Sequence, residues 1–174
     1  MTATFRQSLR AATHRKILLP AGAGLLASMA FVGPTDAATA TSSLAVSATV
    51  QATCTQSITP LAFGIYTGLV LPNTATITVT CTNTTKYNIG LGAGTGAGAT
   101  VTNRAMTAAG ATLKYVLTSD VAHAVNWGDT VATDTVSLTA TTTPIATTIY
   151  GQIAAGQFVA PGAYTDTVVA TVTF

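Results

Sequence analysis

The stretch that decides the fold is TVVATVTF, residues 167–174, where inward and outward side chains alternate up to the last residue. Val168, Ala170, Val172 and Phe174 share one face, and mainly threonines fill the other. A period of two is typical of a β-strand with one buried face. We expect this strand to continue to the end of the chain.

The same alternation recurs along the chain wherever Gly, Pro or Asn does not interrupt it. Other strands are predicted at Leu44–Val50, Ala75–Cys81, Tyr87–Leu91, Thr112–Thr118, Val131–Ala140 and Ile145–Ile153. Short strands at this spacing, without a 3.6-residue apolar period beyond the first 40 residues, predict an all-β sandwich or barrel.

The first 40 residues have the layout of a secretory signal peptide. A basic start is followed by an apolar run over residues 17–33 and by small residues around Ala37, Ala38 and Ala40. The alternative is a membrane anchor, but the run is rich in glycine, contains Pro20 and is short for a spanning helix. We therefore expect cleavage between positions 37 and 40.

Removal of the leader changes the charge balance, because four of the seven basic residues lie in the first sixteen positions. Beyond residue 40, three basic and four acidic side chains give 3 − 4 = −1, which is not the pattern of a nucleic-acid-binding protein. The remaining part, about 134 residues long, suits one domain. It has no Glu and is about a quarter Thr, a β-branched residue that favours sheets.

Two cysteines, Cys54 and Cys81, lie in the predicted exported region. An even number in an oxidising compartment indicates a disulfide, with two separate buried thiols as the alternative. A metal site is not expected, because His123 is the one histidine beyond the leader.

Candidate catalytic groups are few. Ser119, Asp120 and His123 could be written as a triad, but all three fall on one predicted loop, without a rigid scaffold to orient the base. We therefore expect no enzyme activity and no cofactor.

His123, Trp127 and Asp129 could form a ligand cluster with an aromatic platform; the alternative, which we favour, is that Trp127 packs a loop onto the sandwich and His123 faces solvent. A glycine-rich segment over residues 90–100 matches a relaxed G-x-G-x-x-A pattern. No predicted helix follows it, so a flexible surface loop is expected.

An alternating segment also lies directly after the predicted cleavage site. Leu44, Val46, Ala48 and Val50 share its apolar face. This segment is either the first strand of its own domain or an arm that pairs elsewhere, and periodicity does not separate the two.

The order of several short motifs resembles the spore coat protein U domain family, which includes subunits of archaic chaperone–usher pili. The motifs are the alternating segment with Cys54, LAFG at 61–64, ATITVTC at 75–81, Arg104 and Met106, LKYVL at 113–117, WGD at 127–129, IYGQI at 149–153, and GAYTDTVVATVTF at 162–174. Each motif is short, and their order carries the resemblance.

The resemblance implies an immunoglobulin-like sandwich that lacks its final strand and is completed by a strand from a neighbouring subunit. Residues 41–53 would be the donor arm, with Leu44, Val46, Ala48 and Val50 entering the neighbour's groove, and residues 54–174 the sandwich domain. Val168, Ala170, Val172 and Phe174 would be the acceptor edge. Ala48 departs from the pattern, being small for a groove-filling residue.

The implied partners are neighbouring subunits, a periplasmic chaperone and an outer-membrane usher. The implied role is a surface fibre (fimbrium) that supports attachment and biofilm formation. The alternatives are a coat or surface protein that forms no pili, a tip adhesin, and a small secreted carbohydrate-binding protein or enzyme.

Overall fold

The computed structural model describes residues 37–174, so the predicted signal peptide lies outside the described residues except for its last four positions. Of the described residues, 37–46 belong to one unit and 47–174 to a second unit, which carries eight strands. The strands are β1 (Cys54–Ile58), β2 (Leu71–Cys81), β3 (Lys86–Leu91), β4 (Arg104–Ala108), β5 (Ala111–Thr118), β6 (Val136–Thr139), β7 (Ile145–Ile153) and β8 (Ala170–Thr173).

The strands form two antiparallel sheets. The larger has the order β1-β2-β7-β5-β4, and the smaller has the order β6-β3-β8. The described residues contain no helix, and therefore none long and apolar enough to cross a membrane. The all-β sandwich predicted from the sequence is confirmed.

The core lies between the sheets, where the period-two pattern places the apolar residues. On β2, Ala75, Ile77 and Val79 are buried, whereas Thr80 is exposed. Burying one such aliphatic side chain stabilises the fold by roughly 1.5–3 kcal/mol for the larger residues. The largest fully buried side chains are Trp127, Arg104, Tyr87, Ile77, Ile89, Leu91, Ile153 and Val79.

The strand predictions were wrong in two ways: two alternating segments form no strand, and two strands lack apolar alternation. Residues 44–50 form no strand in the described chain, so that prediction is wrong for the isolated chain. Residues 131–135 are a turn instead of the start of β6, since the amides of Thr133 and Asp134 donate to the Thr130 carbonyl. Neither β1 nor β4 was predicted, because CTQSI and RAMTA have little apolar alternation.

Arg104 fixes the loops at one end of β3. Its fully buried guanidinium donates to the carbonyls of Gly92, Val101, Leu91 and Trp127 at 2.6–2.8 Å. Burial lowers the pKa of Arg104 from its ordinary value, and the charges of nearby acidic groups oppose this shift. Five donors on a rigid fork allow one side chain to satisfy several buried carbonyls.

Candidate functional site: an apolar trough and an exposed arm

One cavity in residues 47–174, of about 440 Å³, lies above the inner face of the larger sheet. Ala75, Ile149, Leu117, Tyr115 and Met106 supply much of its floor from four neighbouring strands. Ala75, Ile149, Leu117 and Tyr115 are buried and Met106 is half-buried, so the segments beside the cavity already cover most of this floor. The larger sheet has five strands and the smaller sheet three, and the cavity lies between the larger sheet and these segments.

A second cavity, of about 980 Å³, continues the first. The two share Leu61, Phe63, Met106 and Tyr164, so we treat them as one trough. Its walls are the end of β1 with the segment that follows it, residues 58–68, and the segment before β8, residues 157–168. Hereafter "the trough" means this continuous apolar depression.

Glycine at position 151 allows the first wall to sit low over the sheet. A Cβ there would lie 2.5 Å from Leu61 Cδ2 and 2.9 Å from Phe63 Cζ. Tyr66 then fastens the wall further along, because its hydroxyl donates to the Ala154 carbonyl at 2.7 Å and accepts from the Gln157 amide at 3.0 Å. The first wall is thus held against the chain that follows β7.

Asp166 holds the second wall. Its carboxylate accepts the hydroxyl of Tyr115 at 2.7 Å, both the amide and the hydroxyl of Thr95, and the amide of Thr167. Partial burial raises the pKa of Asp166, but these hydrogen bonds outweigh it and the pKa lies below its ordinary value. Burial, together with the bond to Asp166, raises the pKa of Tyr115.

Two neighbours of Asp166 complete this wall. Thr165 exchanges backbone hydrogen bonds with Thr107 of β4 at 2.9 and 3.2 Å. Gly94 has φ +87°, and a Cβ there would overlap the Asp166 carboxylate. The glycine-rich loop is therefore tied to Asp166 at Thr95, as the amide and hydroxyl bonds show.

The predicted acceptor residues lie on and beside β8. Val168, Ala170 and Val172 are half-buried and pack against the core, whereas Phe174 is 57% exposed and lies just beyond the strand. β8 pairs with β3 on one side and with no strand of the described chain on the other. It therefore has one free edge, and its acceptor role stays a prediction.

The predicted donor residues are fully available. Leu44, Val46 and Val50 are 87%, 85% and 81% exposed, and Ala48 is also exposed. Single exposed apolar residues are common on protein surfaces. Here three large apolar side chains are exposed within one seven-residue segment and on the same side of its alternating pattern. The fold of the described residues does not account for this exposure. Their donor role is also a prediction.

The predicted disulfide is confirmed. Cys54 and Cys81 are bonded and lie directly opposite each other at the start of the β1–β2 ladder. The bond fixes β1 at the first residue after the predicted arm.

The loop that carries the candidate triad is held together by hydrogen bonds within the loop and to the end of β5. Asp120 accepts the amides of Ala124 and Val125, which lowers the pKa of its carboxyl, and His123 Nδ1 bonds to Thr118. The carboxylate thus closes its own turn and does not orient the histidine. Residues 37–174 contain no cluster of metal-ligating side chains.

Trp127 packs its loop onto the sandwich, as predicted. It is fully buried, and its indole N–H donates to the Ile89 carbonyl at 2.7 Å. It consequently has no exposed face for a sugar. His123 is half-buried against Thr118, so the prediction that it faces solvent is wrong.

A model of the Spore Coat Protein U domain matches residues 40–171. The chain belongs to the Spore Coat Protein U domain family. The match includes the predicted donor arm and the sandwich up to residue 171, which lies within β8. No curated protein sequence matches the chain.

A solved structure with a similar fold supports an immunoglobulin-like sandwich for this family member. This is the crystal structure of the CsuC–CsuE chaperone–tip adhesion subunit pre-assembly complex from archaic chaperone–usher Csu pili of Acinetobacter baumannii, with TM-score 0.51 and 22% identity. The alignment covers 72% of this chain and 40% of that chain, so this chain spans less than half of that protein. The likeness shows the fold.

A second structure, the E. coli Hda pilus minor tip subunit HdaB, has TM-score 0.35 and 21% identity, covering 67% of this chain and 79% of that chain.

Sequence reasoning missed Gln56 and Asp166 as residues of the site. Gln56 lies in an unpredicted strand, and its side chain reaches the carbonyl of Ala170 on β8. Asp166 was quoted as part of a motif, but no sequence signal joined it to Tyr115 and Thr95, which are 51 and 71 positions away.

Proposed function

We propose that this chain is the structural subunit of a surface fibre, a pilus, that polymerises by donor-strand exchange. In this proposal, residues 41–53 of one copy enter the trough of another copy and pair with the free edge of β8. The fibre supports surface attachment and biofilm formation. Its role is structural and not catalytic.

The observation that carries the proposal is the free edge of β8 beside an apolar trough. Unpaired strand edges attract other extended chains, and a groove of apolar side chains adds the burial that makes such pairing stable. Addition of a strand to an open sheet edge is a recurrent form of peptide recognition. The trough therefore suits an extended apolar segment more than a compact ligand.

The arm and the edge also match in length and pattern. Leu44–Val50 and Val168–Phe174 each contain seven residues with four on one face. Each would span roughly 20 Å as an extended strand. One face of the arm can thus fill the trough while its backbone pairs along β8.

The free edge of β8 and the apolar trough also bear on how the subunit is exported and assembled. A subunit with these features needs protection before it polymerises, for which we propose a periplasmic chaperone, and an outer-membrane usher for delivery to the surface. The family match and the fold shared with a chain from a chaperone–pilus subunit complex support this route.

The test is export of the chain to a bacterial periplasm with a chaperone and usher of this class, followed by electron microscopy and heat-resistant ladders on gels. We expect Leu44→Asp and Val46→Asp to abolish fibres, because a charge in an apolar groove is strongly unfavourable. Ser47→Asp is the matched control: it places the same charge on the opposite face of the arm and should leave fibres unchanged.

Two results would contradict the proposal. Fibres of normal length from Leu44→Asp and Val46→Asp would exclude the arm as the donor. A stable monomer that needs no chaperone and loses stability when residues 41–50 are deleted would mean that the arm completes its own sandwich. A coat protein that forms no pili, as the family description allows, would then be the better assignment.

A further inference from the structure

One side chain crosses the gap between the two sheet edges beside the trough. Gln56 of β1 donates from Nε2 to the Ala170 carbonyl of β8 at 3.0 Å. β1 is an outer strand of the larger sheet, and β8 is an outer strand of the smaller one. Among the described residues, this is the hydrogen bond that joins β1 to β8.

The Ala170 carbonyl is one of the acceptors that an added strand would need. The neighbouring Val169 carbonyl accepts the Gly92 amide from the chain just beyond β3. Backbone groups of successive strand residues point to opposite sides, so the Ala170 carbonyl points to the free edge. Gln56 therefore occupies the carbonyl of the first residue of β8 on that edge.

No backbone hydrogen bond joins β1 to β8 among the described residues. Paired strands lie about 4.8 Å apart and bond through their backbones. Here β1 and β8 are connected through a glutamine side chain and not through their backbones, so the edge of β8 that faces Gln56 is unpaired and could accept one further strand. A strand at this edge must break the bond between Gln56 and Ala170.

We propose that Gln56 is a releasable strut that sets the order in which a donor strand pairs with β8. Ile58 and Val168 line the open trough on one side of the strut, whereas Phe174 lies on the other. A strand first seats beside Val168 and reaches Phe174 after it displaces Gln56. This inference rests on the proposed donor-strand function.

The strut is tested first without any donor. In the mature chain carrying Val46→Asp, which disables the chain's own arm, Gln56→Met keeps the side-chain length but removes the hydrogen-bond donor. We expect about 2- to 10-fold faster hydrogen exchange at the Thr171 and Thr173 amides, the scale of one hydrogen bond. Ser57→Ala, on the opposite face of β1, should leave exchange unchanged.

The second measurement is the association rate of a fluorescent peptide of residues 41–53 with the same proteins. Because the strut must open before pairing is completed, Gln56→Met should speed association by about 2- to 10-fold, with Ser57→Ala at the original rate. Circular dichroism checks that each variant is folded.

The outcomes separate the two proposals. If the peptide binds the Gln56→Met variant no faster than the protein that keeps Gln56, or if β8 exchange is unchanged, the strut is overturned and donor-strand pairing stands. If neither the Val46→Asp protein nor its Gln56→Met and Ser57→Ala variants bind the peptide at saturating concentration, the proposed function is wrong. The inference about Gln56 then fails with it, because no donor strand pairs with β8. Faster exchange together with faster association supports the inference.

Discussion

The predicted arm and the last strand have the same sequence pattern but different structures. Residues 44–50 and 168–174 both place four residues on one face, yet the first segment is exposed, whereas Val168, Ala170 and Val172 of the second pack against the core. The difference lies in what surrounds each segment. β8 has β3 beside it and a core beneath it, whereas the arm has no strand partner in the described chain.

The two segments show that having an apolar face and having that face covered are separate properties, although the same alternation is read as evidence for both. Alternation gives a segment one apolar face, but it does not specify which sheet covers that face. For β8 the cover is the protein's own core. For the arm, the proposed cover is the trough of another copy.

The largest effect is expected at the boundary between the arm and the sandwich. Replacing Cys54 and Cys81 together by Ala removes a cross-link between residues 27 positions apart and should lower the free energy of unfolding by about 3.5 kcal/mol. Deleting residues 41–50 should change it by less than about 0.5 kcal/mol, since that segment buries little. Urea unfolding measures both.

An equal loss in the two proteins would contradict the contrast, because the arm would then contribute to the stability of its own domain. Reductant applied to the original chain provides the control: it should reproduce the effect of the double cysteine replacement.

A smaller effect separates the two apolar faces directly. Val172→Asp introduces a charge on the half-buried face of β8 and should cost about 2–3 kcal/mol of unfolding free energy. Val46→Asp makes the same chemical change on the exposed arm and should cost less than about 0.5 kcal/mol. The urea midpoints of the two variants measure the difference; similar midpoints would show that the arm face is buried in solution.

The strands that were predicted well are those with mainly apolar residues at every second position along the inner face. Residues 145–153 were predicted with the correct bounds, and 87–91 and 112–118 each missed one residue. Apolar burial governs these strands, so hydrophobic periodicity finds them. β1 was missed because its stability comes from the ladder to β2 and from the disulfide, neither of which appears as apolar alternation.

The candidate site could be predicted only in outline. Its apolar residues follow from alternation, but its walls depend on contacts between distant positions, such as Gly151 beneath Phe63 and Asp166 beside Tyr115. A single sequence contains no distance information for such pairs. The resemblance to a family supplied the missing strand, which periodicity alone left as one of two alternatives.

The smallest expected effect concerns Asp166, whose carboxylate holds the segment before β8 in place. The arm has no comparable side chain that fixes its position. The folded pKa of Asp166 is lowered, so its stabilising contribution is complete above the unfolded pKa of about 3.9 and is lost as the pH falls through the folded pKa. Asp166→Asn should therefore cost about 1 kcal/mol at pH 7, allowing for partial exposure, and progressively less below pH 4.

Urea unfolding of the original chain and of Asp166→Asn from pH 7 to pH 2 measures this difference. Tyr115→Phe provides the matched variant, because it keeps the ring in the trough but removes the 2.7 Å hydrogen bond to the carboxylate. It should reduce the acid dependence in the same direction. Parallel stability curves for all three proteins would mean that the charge of Asp166 does not hold this wall, and that the bridge between Thr107 and Thr165 is sufficient to position β8.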